Sequence, residues 1–335
     1  MRKASSTWIL PIALGLSAPV MGHHGIAPFD TGTRVTFEGV IAEFDYRNPH
    51  SFVYLQTTDA DGNTTDVTIE AVGSSARPFG VTEDSLKPGD VVVAVANPSK
   101  RDPETWGLGV EIVKEDGSVI PLSVRFAREM EQRSTGVATS MAGVWVPRRE
   151  DFFGYVLNRS SIELTEKGDE RYQSYDNTQS SHARCISVPP PVLMLYSSIN
   201  VVEVLSDRVL IHSDWMDAER VIYTDGREPN ESTPLARYGY SVGLWHDRTL
   251  SVGTTRFSDN NSGAATGVAT GVQKHMLERF TLAEDGTGID YSFVLEDPEY
   301  LAAPVSGESR WDYRPELIPD DVPCDIESAG RYISE

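Results

Sequence analysis

The sequence contains only two cysteines in 335 residues, Cys185 and Cys324. A single pair of thiols cannot form a zinc site without histidines. In an oxidising compartment an isolated pair is most simply a disulfide, whereas two free thiols fit a reducing one. We therefore expect Cys185 to be bonded to Cys324 if the protein is exported.

Positive charge is also scarce: 29 basic residues stand against 50 acidic ones, and the net charge is −21. Such a surface repels phosphate backbones and anionic lipid, so we expect no nucleic acid as a partner. The same charge attracts cations, although it also simply keeps a protein soluble.

Long apolar runs are missing after the first 20 residues, so no later segment is expected to cross a membrane. The N-terminus itself begins with Arg2 and Lys3 and continues with an apolar run from Trp8 to Val20. That run is shorter than the roughly 20 residues needed to span a bilayer. We predict a signal peptide over residues 1–22, cut after Gly22, and a periplasmic or secreted protein with no membrane insertion after cleavage.

Several catalytic motifs are missing as well. The sequence has no Gly-rich phosphate loop, no nucleophile elbow, no His-Glu-x-x-His and no Cys-x-x-Cys. A hydrolase is therefore not expected, and whether the protein is an enzyme stays open.

Short strands fill the chain from Arg34 to Leu122, with a hairpin turn at Asp61-Gly62-Asn63 and one short helix at Ser74 to Phe79. Five or six strands with a helix between the third and fourth predict a small OB-like barrel over residues 23–122. Nucleic-acid binding by such a barrel needs a basic, aromatic groove, which this acidic domain lacks.

A helix from Val124 to Arg133 and a small, polar linker are predicted within residues 123–142. Residues 143–335 then show seven or eight short strands joined by tight polar turns. This pattern predicts an antiparallel up-and-down meander, which closes as a lipocalin-like barrel because closure removes exposed edges. The predicted fold class is all-β, with a small barrel followed by a larger one.

The first barrel resembles an exported bacterial family of unknown function. The residues that carry the resemblance are His23-His24, Phe29-Asp30, Val35-Thr36, Gly39-Val40, Asn48-Pro49-His50, Ile69-Glu70 and Leu86-Lys87-Pro88-Gly89-Asp90. Members of that family also begin with His-His and carry the Asn-Pro-His turn. The resemblance implies export and supports the fold, and it brings no established activity.

The second barrel opens with Gly143-Val144-Trp145, which resembles the start of lipocalin-type barrels. Four further segments resemble a second uncharacterised exported bacterial domain: Asp225-Gly226-Arg227, Gly239 to Trp245, Glu278-Arg279-Phe280 and Glu296-Asp297-Pro298. That domain usually has a histidine before the proline that follows Asp-Gly-Arg. Here Glu228 precedes Pro229, so a role tied to that position is not expected.

The histidines at the predicted mature N-terminus form a candidate metal site. A terminal His23 offers its amine and ring Nδ1 to one metal, and His50 can complete a three-nitrogen set, the histidine brace. His24 can coordinate or support the site, and Asp30 and Asp45 are candidate oxygen donors. Nitrogen ligands in a near-planar arrangement favour Cu(II), so copper is the expected cofactor. The alternative is that His23 and His24 form a mobile, non-specific chelating end and that His50 is only a capping or turn residue.

The interior of the larger barrel is the second candidate site, because barrels of this size can hold one small apolar ligand. The candidate ligand contacts are Trp215, Tyr223, Tyr240, Trp245, Met276, Phe280 and Tyr291. If the barrel is catalytic, the candidate acid–base pairs are His275 with Glu278 and His212 with Asp214. The alternative is that these aromatic residues fill a solid core.

The sequence therefore predicts an exported binding protein, with a small apolar ligand in the C-terminal barrel and copper at the mature N-terminus. One alternative is an isomerase, cyclase or dehydratase acting on a hydrophobic substrate in that barrel. Another is a non-catalytic periplasmic scaffold.

Overall fold

The fold is seen in a computed structural model, which describes residues 28–72, 74–123, 136–156, 161–176, 178, 180–319 and 322–330. The predicted signal peptide, His23, His24 and the predicted helix from 124 to 133 lie outside these residues. Among the helices that are described, none is both long and apolar enough to cross a membrane.

The N-terminal half forms a five-stranded barrel. The five barrel strands are β1 (Val35–Asp45), β2 (His50–Thr58), β3 (Thr64–Val72), β4 (Val91–Pro98) and β5 (Trp106–Lys114), and a sixth strand, β6 (Val119–Pro121), lies outside the ring. The ring β1-β2-β3-β5-β4 closes where β3 pairs in parallel with β5, and β6 continues the sheet beyond β5. A 3-10 helix at Ser74–Phe79 follows β3, where the sequence predicts a helix. The OB-like barrel is confirmed.

Side-chain alternation places the core of this barrel. Along β4, Val92, Ala94 and Ala96 are buried while their neighbours are more exposed. Gly39 allows β1 to pass close to β2, because a Cβ atom at that position would lie 2.2 Å from the carbonyl oxygen of Gln56. A glycine is therefore needed at position 39, because the two backbones approach too closely for any side chain.

The C-terminal half forms a nine-stranded closed barrel and a separate two-stranded sheet. The barrel strands are β7 (Gly143–Pro147), β8 (Asn200–Val204), β9 (Arg208–Ser213), β10 (Ala218–Tyr223), β11 (Tyr240–His246), β12 (Thr249–Thr255), β15 (His275–Leu282), β16 (Gly288–Glu296) and β17 (Val305–Tyr313). The two-stranded sheet pairs β13 (Asn260–Ala265) with β14 (Val268–Thr270).

The larger barrel confirms the predicted all-β architecture, with two differences in detail. It has nine strands where the sequence predicts seven or eight, and β10 pairs with β11 in parallel. Strand directions cannot alternate all the way round a ring with an odd number of strands, so one parallel pair is required. The segment from Thr224 to Gly239 is long enough to return the chain to the end of the barrel where β10 begins, so that β11 can run parallel to β10.

A helical insertion between β7 and β8, which no sequence pattern predicts, packs onto the larger barrel. It contains α1 (Arg149–Val156), α2 (Glu166–Gln173) and α3 (Val192–Leu195). All four residues of α3 are buried, and the indole of the fully buried Trp311 donates a hydrogen bond to the Met194 carbonyl at 3.1 Å. The insertion thus contributes apolar side chains to the core of the barrel.

The C-terminal segment returns to the smaller barrel. Its helix α4 (Ile326–Gly330) follows Cys324, which forms the predicted disulfide with Cys185. Asp325 donates its backbone N–H to the Asn48 carbonyl at 2.8 Å, and its carboxylate lies 3.3 Å from the Arg47 guanidinium. The last described residues therefore connect the insertion of the larger barrel to the Asn48-Pro49-His50 turn.

Candidate functional site

The residues predicted as ligand contacts do not line a common space. Met276, Phe280 and Tyr291 point into the barrel and are almost completely buried. Trp245 is partly buried and packs against the same core. Trp215 lies in a 3-10 turn after β9, where it stacks on Tyr196 with ring centroids 4.0 Å apart.

The other two predicted contacts lie on the opposite face of the barrel wall. Tyr223 and Tyr240 alternate with buried residues of β10 and β11, and their ring centroids are 5.0 Å apart. The Arg227 guanidinium lies 4.3 Å from the centre of the Tyr223 ring. On the outer surface of the barrel, Tyr223 therefore contacts the Tyr240 ring and makes a cation–π contact with Arg227.

Neither predicted acid–base pair is brought together. His275 and Glu278 are three residues apart on β15, so the alternation of the strand sends them to opposite faces. His212 is partly exposed, and its Nε2 lies 3.6 Å from the Asp217 carboxylate. Asp214 is instead buried and accepts a hydrogen bond from the Ile199 backbone N–H at 2.9 Å.

A buried ion pair occupies the barrel interior. Arg220 donates from Nη1 to Glu278 Oε1 at 2.8 Å, and its Nη2 also contacts Oε2. Tyr291 donates to Glu278 at 2.9 Å, and Ser241 and Thr254 lie within hydrogen-bond distance of the guanidinium. Burial, followed by the Glu278 charge, raises the pKa of Tyr291, so this hydroxyl stays protonated. Arg220, Glu278 and Tyr291 are therefore bonded to one another, whereas an acid–base site would need these groups available to a substrate.

Lys274 is a second buried charge of this barrel. Its Nζ donates to the Pro190 and Gly263 carbonyls at 2.5 and 2.9 Å and lies 4.4 Å from the centre of the Phe257 ring. Burial lowers the pKa of this amine to about 7. Because Pro190 belongs to the helical insertion, this hydrogen bond from Lys274 links the insertion to the barrel.

The predicted histidine ligand His50 lies beside a buried carboxylate. His50 begins β2, and its Nδ1 lies 2.9 Å from Oε1 of Glu70 on the neighbouring strand β3. The Glu70 side chain is 1% exposed and that of His50 is 24% exposed, so the imidazole stands between the interior and solvent. The second ring nitrogen of a metal-binding histidine commonly faces a carboxylate, as Nδ1 of His50 does here.

The main chain of His50 is fixed as well. The Ser328 hydroxyl accepts from the His50 N–H at 3.2 Å and donates to the His50 carbonyl at 2.8 Å. Sequence reasoning missed both Glu70 and Ser328 as site residues. The Asp61-Gly62 turn sets the register that pairs His50 with Val72, and this register is a signal that could have found Glu70. No local signal points to Ser328.

The predicted oxygen donors are engaged elsewhere. Asp30 accepts hydrogen bonds from the Thr33 hydroxyl at 2.7 Å and the Gly32 N–H at 3.1 Å, and these bonds lower its pKa. Asp45 lies 2.6 Å from the Arg47 guanidinium. Within the described part of the chain, no three His, Cys, Asp or Glu side chains are grouped to hold a metal.

Together, these features define a two-barrel, all-β protein whose candidate metal ligand lies in the smaller barrel. That barrel is also where a known family matches: a family of unknown function (DUF6152) over residues 12–109. The match covers less than a third of the chain and includes His23, His24, His50 and Glu70. No curated protein matches the sequence.

Proposed function

We propose that the protein is exported and binds Cu(II) at its mature N-terminus. The ligands are the amine and ring of His23 and the ring of His50, and His24 supports the site. Export follows from the predicted signal peptide, whose removal after Gly22 creates the required amine.

The contact between His50 and Glu70 carries this proposal. Because Oε1 of Glu70 lies 2.9 Å from Nδ1, the metal would be bound through Nε2, and the carboxylate would favour one orientation of the ring. A carboxylate that is 1% exposed is costly to bury, and a role in holding a metal ligand accounts for its position.

The chain has the reach to bring His23 to His50. The Phe29 ring lies 5.2 Å from the ring of Trp106, and Trp106 is two strands away from β2. Two strand spacings and four residues along a strand place Trp106 about 16 Å from His50. The six steps from Phe29 back to His23 span about 20 Å when extended.

Copper bound by His23 and His50 would supply a Lewis acid and a one-electron redox centre. The chain's own part is to present nitrogen ligands and to fix the imidazole with Glu70 and Ser328. Binding and carriage of copper need nothing more from these residues, so we propose carriage and no reaction.

The apolar ligand predicted for the larger barrel has less support from the geometry. Trp145, Trp311 and Tyr291 are each at most 1% exposed, and with the Arg220–Glu278 pair they occupy the barrel interior. The apolar ligand, the isomerase, cyclase or dehydratase alternative and the scaffold alternative remain predictions. We rest the proposed function on the smaller barrel.

A copper titration of the exported protein tests the proposal. Intact mass must first show that the chain begins at His23. We expect one tight Cu(II) site with nitrogen hyperfine structure in the electron paramagnetic resonance spectrum. His50→Ala should weaken binding at least as strongly as Glu70→Gln, for which we expect about 10-fold to 100-fold.

The control is His246→Ala, because His246 is a largely exposed histidine of the larger barrel. It should leave the copper affinity unchanged. Equal affinities for the wild type and His50→Ala would refute the proposed site, and so would a mature chain that begins at another residue.

A further inference from the structure

A second candidate site lies on the outer face of the smaller barrel. It is an open groove of about 370 Å³ across β2, β3 and the loop that leads into β5. The groove is lined by Tyr54, Asp66, Thr68, Asp102, Thr105 and Trp106. We call it the Tyr54–Trp106 groove.

The strand register places its two aromatic residues on either side of a small one. Tyr54 is paired with Thr68 across β2 and β3, and Thr68 is paired with Trp106 across β3 and β5. The three residues therefore form one row, with the aromatic residues about 10 Å apart. Since threonine is much smaller than its neighbours, the row forms a trough between two partly exposed rings.

The loop side of the groove is fixed by backbone hydrogen bonds. The Trp106 N–H donates to the Asp102 carbonyl at 3.0 Å, and the Thr68 N–H donates to the Thr105 carbonyl at 2.8 Å. Phe29 packs edge-on against the Trp106 ring. The groove is thus held in shape by contacts that need no ligand, which lowers the entropic cost of binding one.

The lining chemistry defines the ligand class. None of the six residues carries a positive charge, and Asp66 and Asp102 supply carboxylates, so anions are repelled. Carboxylates and threonine hydroxyls accept hydrogen bonds from hydroxyl groups. The faces of the two aromatic rings suit a ligand with an apolar face. A sugar ring combines apolar C–H faces with a rim of hydroxyls.

The position of the groove agrees with this chemistry. OB-type barrels bind oligonucleotides or oligosaccharides on the face of their second and third strands, beside the loop between the fourth and fifth. A nucleic-acid groove must be positively charged, and this one is not. We propose that the Tyr54–Trp106 groove binds a neutral oligosaccharide. The proposal is independent of copper binding.

Binding of neutral glycans by the full mature chain tests the proposal. The wild type is screened on an array of neutral glycans, and the strongest binder is titrated by calorimetry beside cellohexaose and chitohexaose. Heparin oligosaccharide tests an anionic ligand, and choline tests an organic cation. We expect binding of at least one neutral glycan and none of heparin.

Tyr54→Ala is the main variant, and we expect it to weaken glycan binding about tenfold. Asp66→Asn and Asp102→Asn should also weaken binding without removing a ring. The matched control is Tyr172→Ala, which removes a partly exposed tyrosine from α2 of the helical insertion. Unchanged thermal unfolding of the Tyr54 variant separates lost binding from lost structure.

Three outcomes would overturn the proposal: no neutral glycan binds, Tyr54→Ala binds as well as the wild type, or choline binds in the groove and displaces the glycan. The copper titration of the same Tyr54 variant keeps the two functions apart. Copper affinity should be unchanged where glycan binding is lost.

Discussion

Asp214 lies in an environment that disfavours its charge. It is buried where β9 ends, and one carboxylate oxygen accepts from the Ile199 N–H while the other has no hydrogen-bond partner among the described residues. Burial raises the pKa of Asp214 to about 7, and the Arg77 charge only partly opposes this. The group is therefore protonated in the folded protein at pH values where it is ionised in the unfolded chain.

This environment predicts a pH-dependent stability. The folded pKa of Asp214 is above the unfolded value of 3.8, so its contribution is fully present below pH 4 and is lost as the pH rises towards 7. The loss is roughly 4 kcal/mol. Asp214→Asn keeps the acceptor for Ile199 and should be more stable than the wild type at pH 8.

Denaturant unfolding at pH 4, 6 and 8 checks the prediction through the difference between variant and wild type. Taking the difference is necessary because Lys274, whose pKa is lowered by burial, contributes the opposite trend in both proteins. A difference that does not change with pH would contradict the raised pKa.

At the scale of residues, the disulfide could be predicted from composition alone. Cys185 and Cys324 were the only two cysteines, and the disulfide between them is confirmed. Pairing across strands was harder to read. The sequence predicts His275 and Glu278 as an acid–base pair, but strand alternation places the two side chains on opposite faces of the barrel wall. Glu278 is instead bonded to Arg220. A distant partner such as Arg220 leaves no local pattern.

At the scale of elements, tight turns carried most of the information. The turn at Asp61-Gly62 joins two antiparallel strands, as predicted, and the similar sequences Asp116-Gly117 and Asp285-Gly286 also join antiparallel strands. The parallel pair of β10 and β11 was missed because a long connection does not reveal the direction in which the chain returns. The helices of the insertion were missed because they are short and gain their stability from packing.

Helix α4 gives a test at this scale. Ser328→Ala removes both hydrogen bonds that the serine hydroxyl makes to the His50 backbone. We expect a loss of about 1–3 kcal/mol in the free energy of unfolding and faster hydrogen exchange at the His50 amide. Ser306→Ala, at an exposed position of β17, is the control and should change neither.

The contact between α4 and His50 would be shown to be weak if the exchange rate at His50 were the same in Ser328→Ala and in the control. In that case, the pairing of β2 with β3 and the bond from Asp325 to the Asn48 carbonyl would be enough to fix the turn.

For the molecule as a whole, the disulfide is the covalent link between the C-terminal segment and the larger barrel. The two cysteines are 139 residues apart, and closing a loop of this length contributes about 5 kcal/mol in the chain-entropy model. The double variant Cys185→Ser with Cys324→Ser should lose stability by that amount in denaturant unfolding.

Reduced wild-type protein serves as the control and should unfold at the same denaturant concentration as the double variant. If oxidised wild type and double variant unfold together, the bond does not constrain the unfolded chain.

The two-barrel architecture was readable from the sequence because each barrel repeats a local signal, a strand followed by a turn. The association of the barrels was not readable. Its contacts include those of Arg314, which donates to the Pro78 carbonyl at 2.7 Å, and of Arg77, which donates to the Ile318 carbonyl at 3.3 Å. These contacts join residues more than 230 positions apart.

The separation between His50 and Ser328 also sets an order of events during synthesis. A ribosome releases His50 some 278 residues before its backbone partner. A nascent chain can close the smaller barrel early, since all of its strands precede residue 122. The turn that contains the proposed copper ligand gains its hydrogen bonds to Ser328 only when that residue emerges. A product truncated before Ser328 would therefore contain His50 without these two bonds.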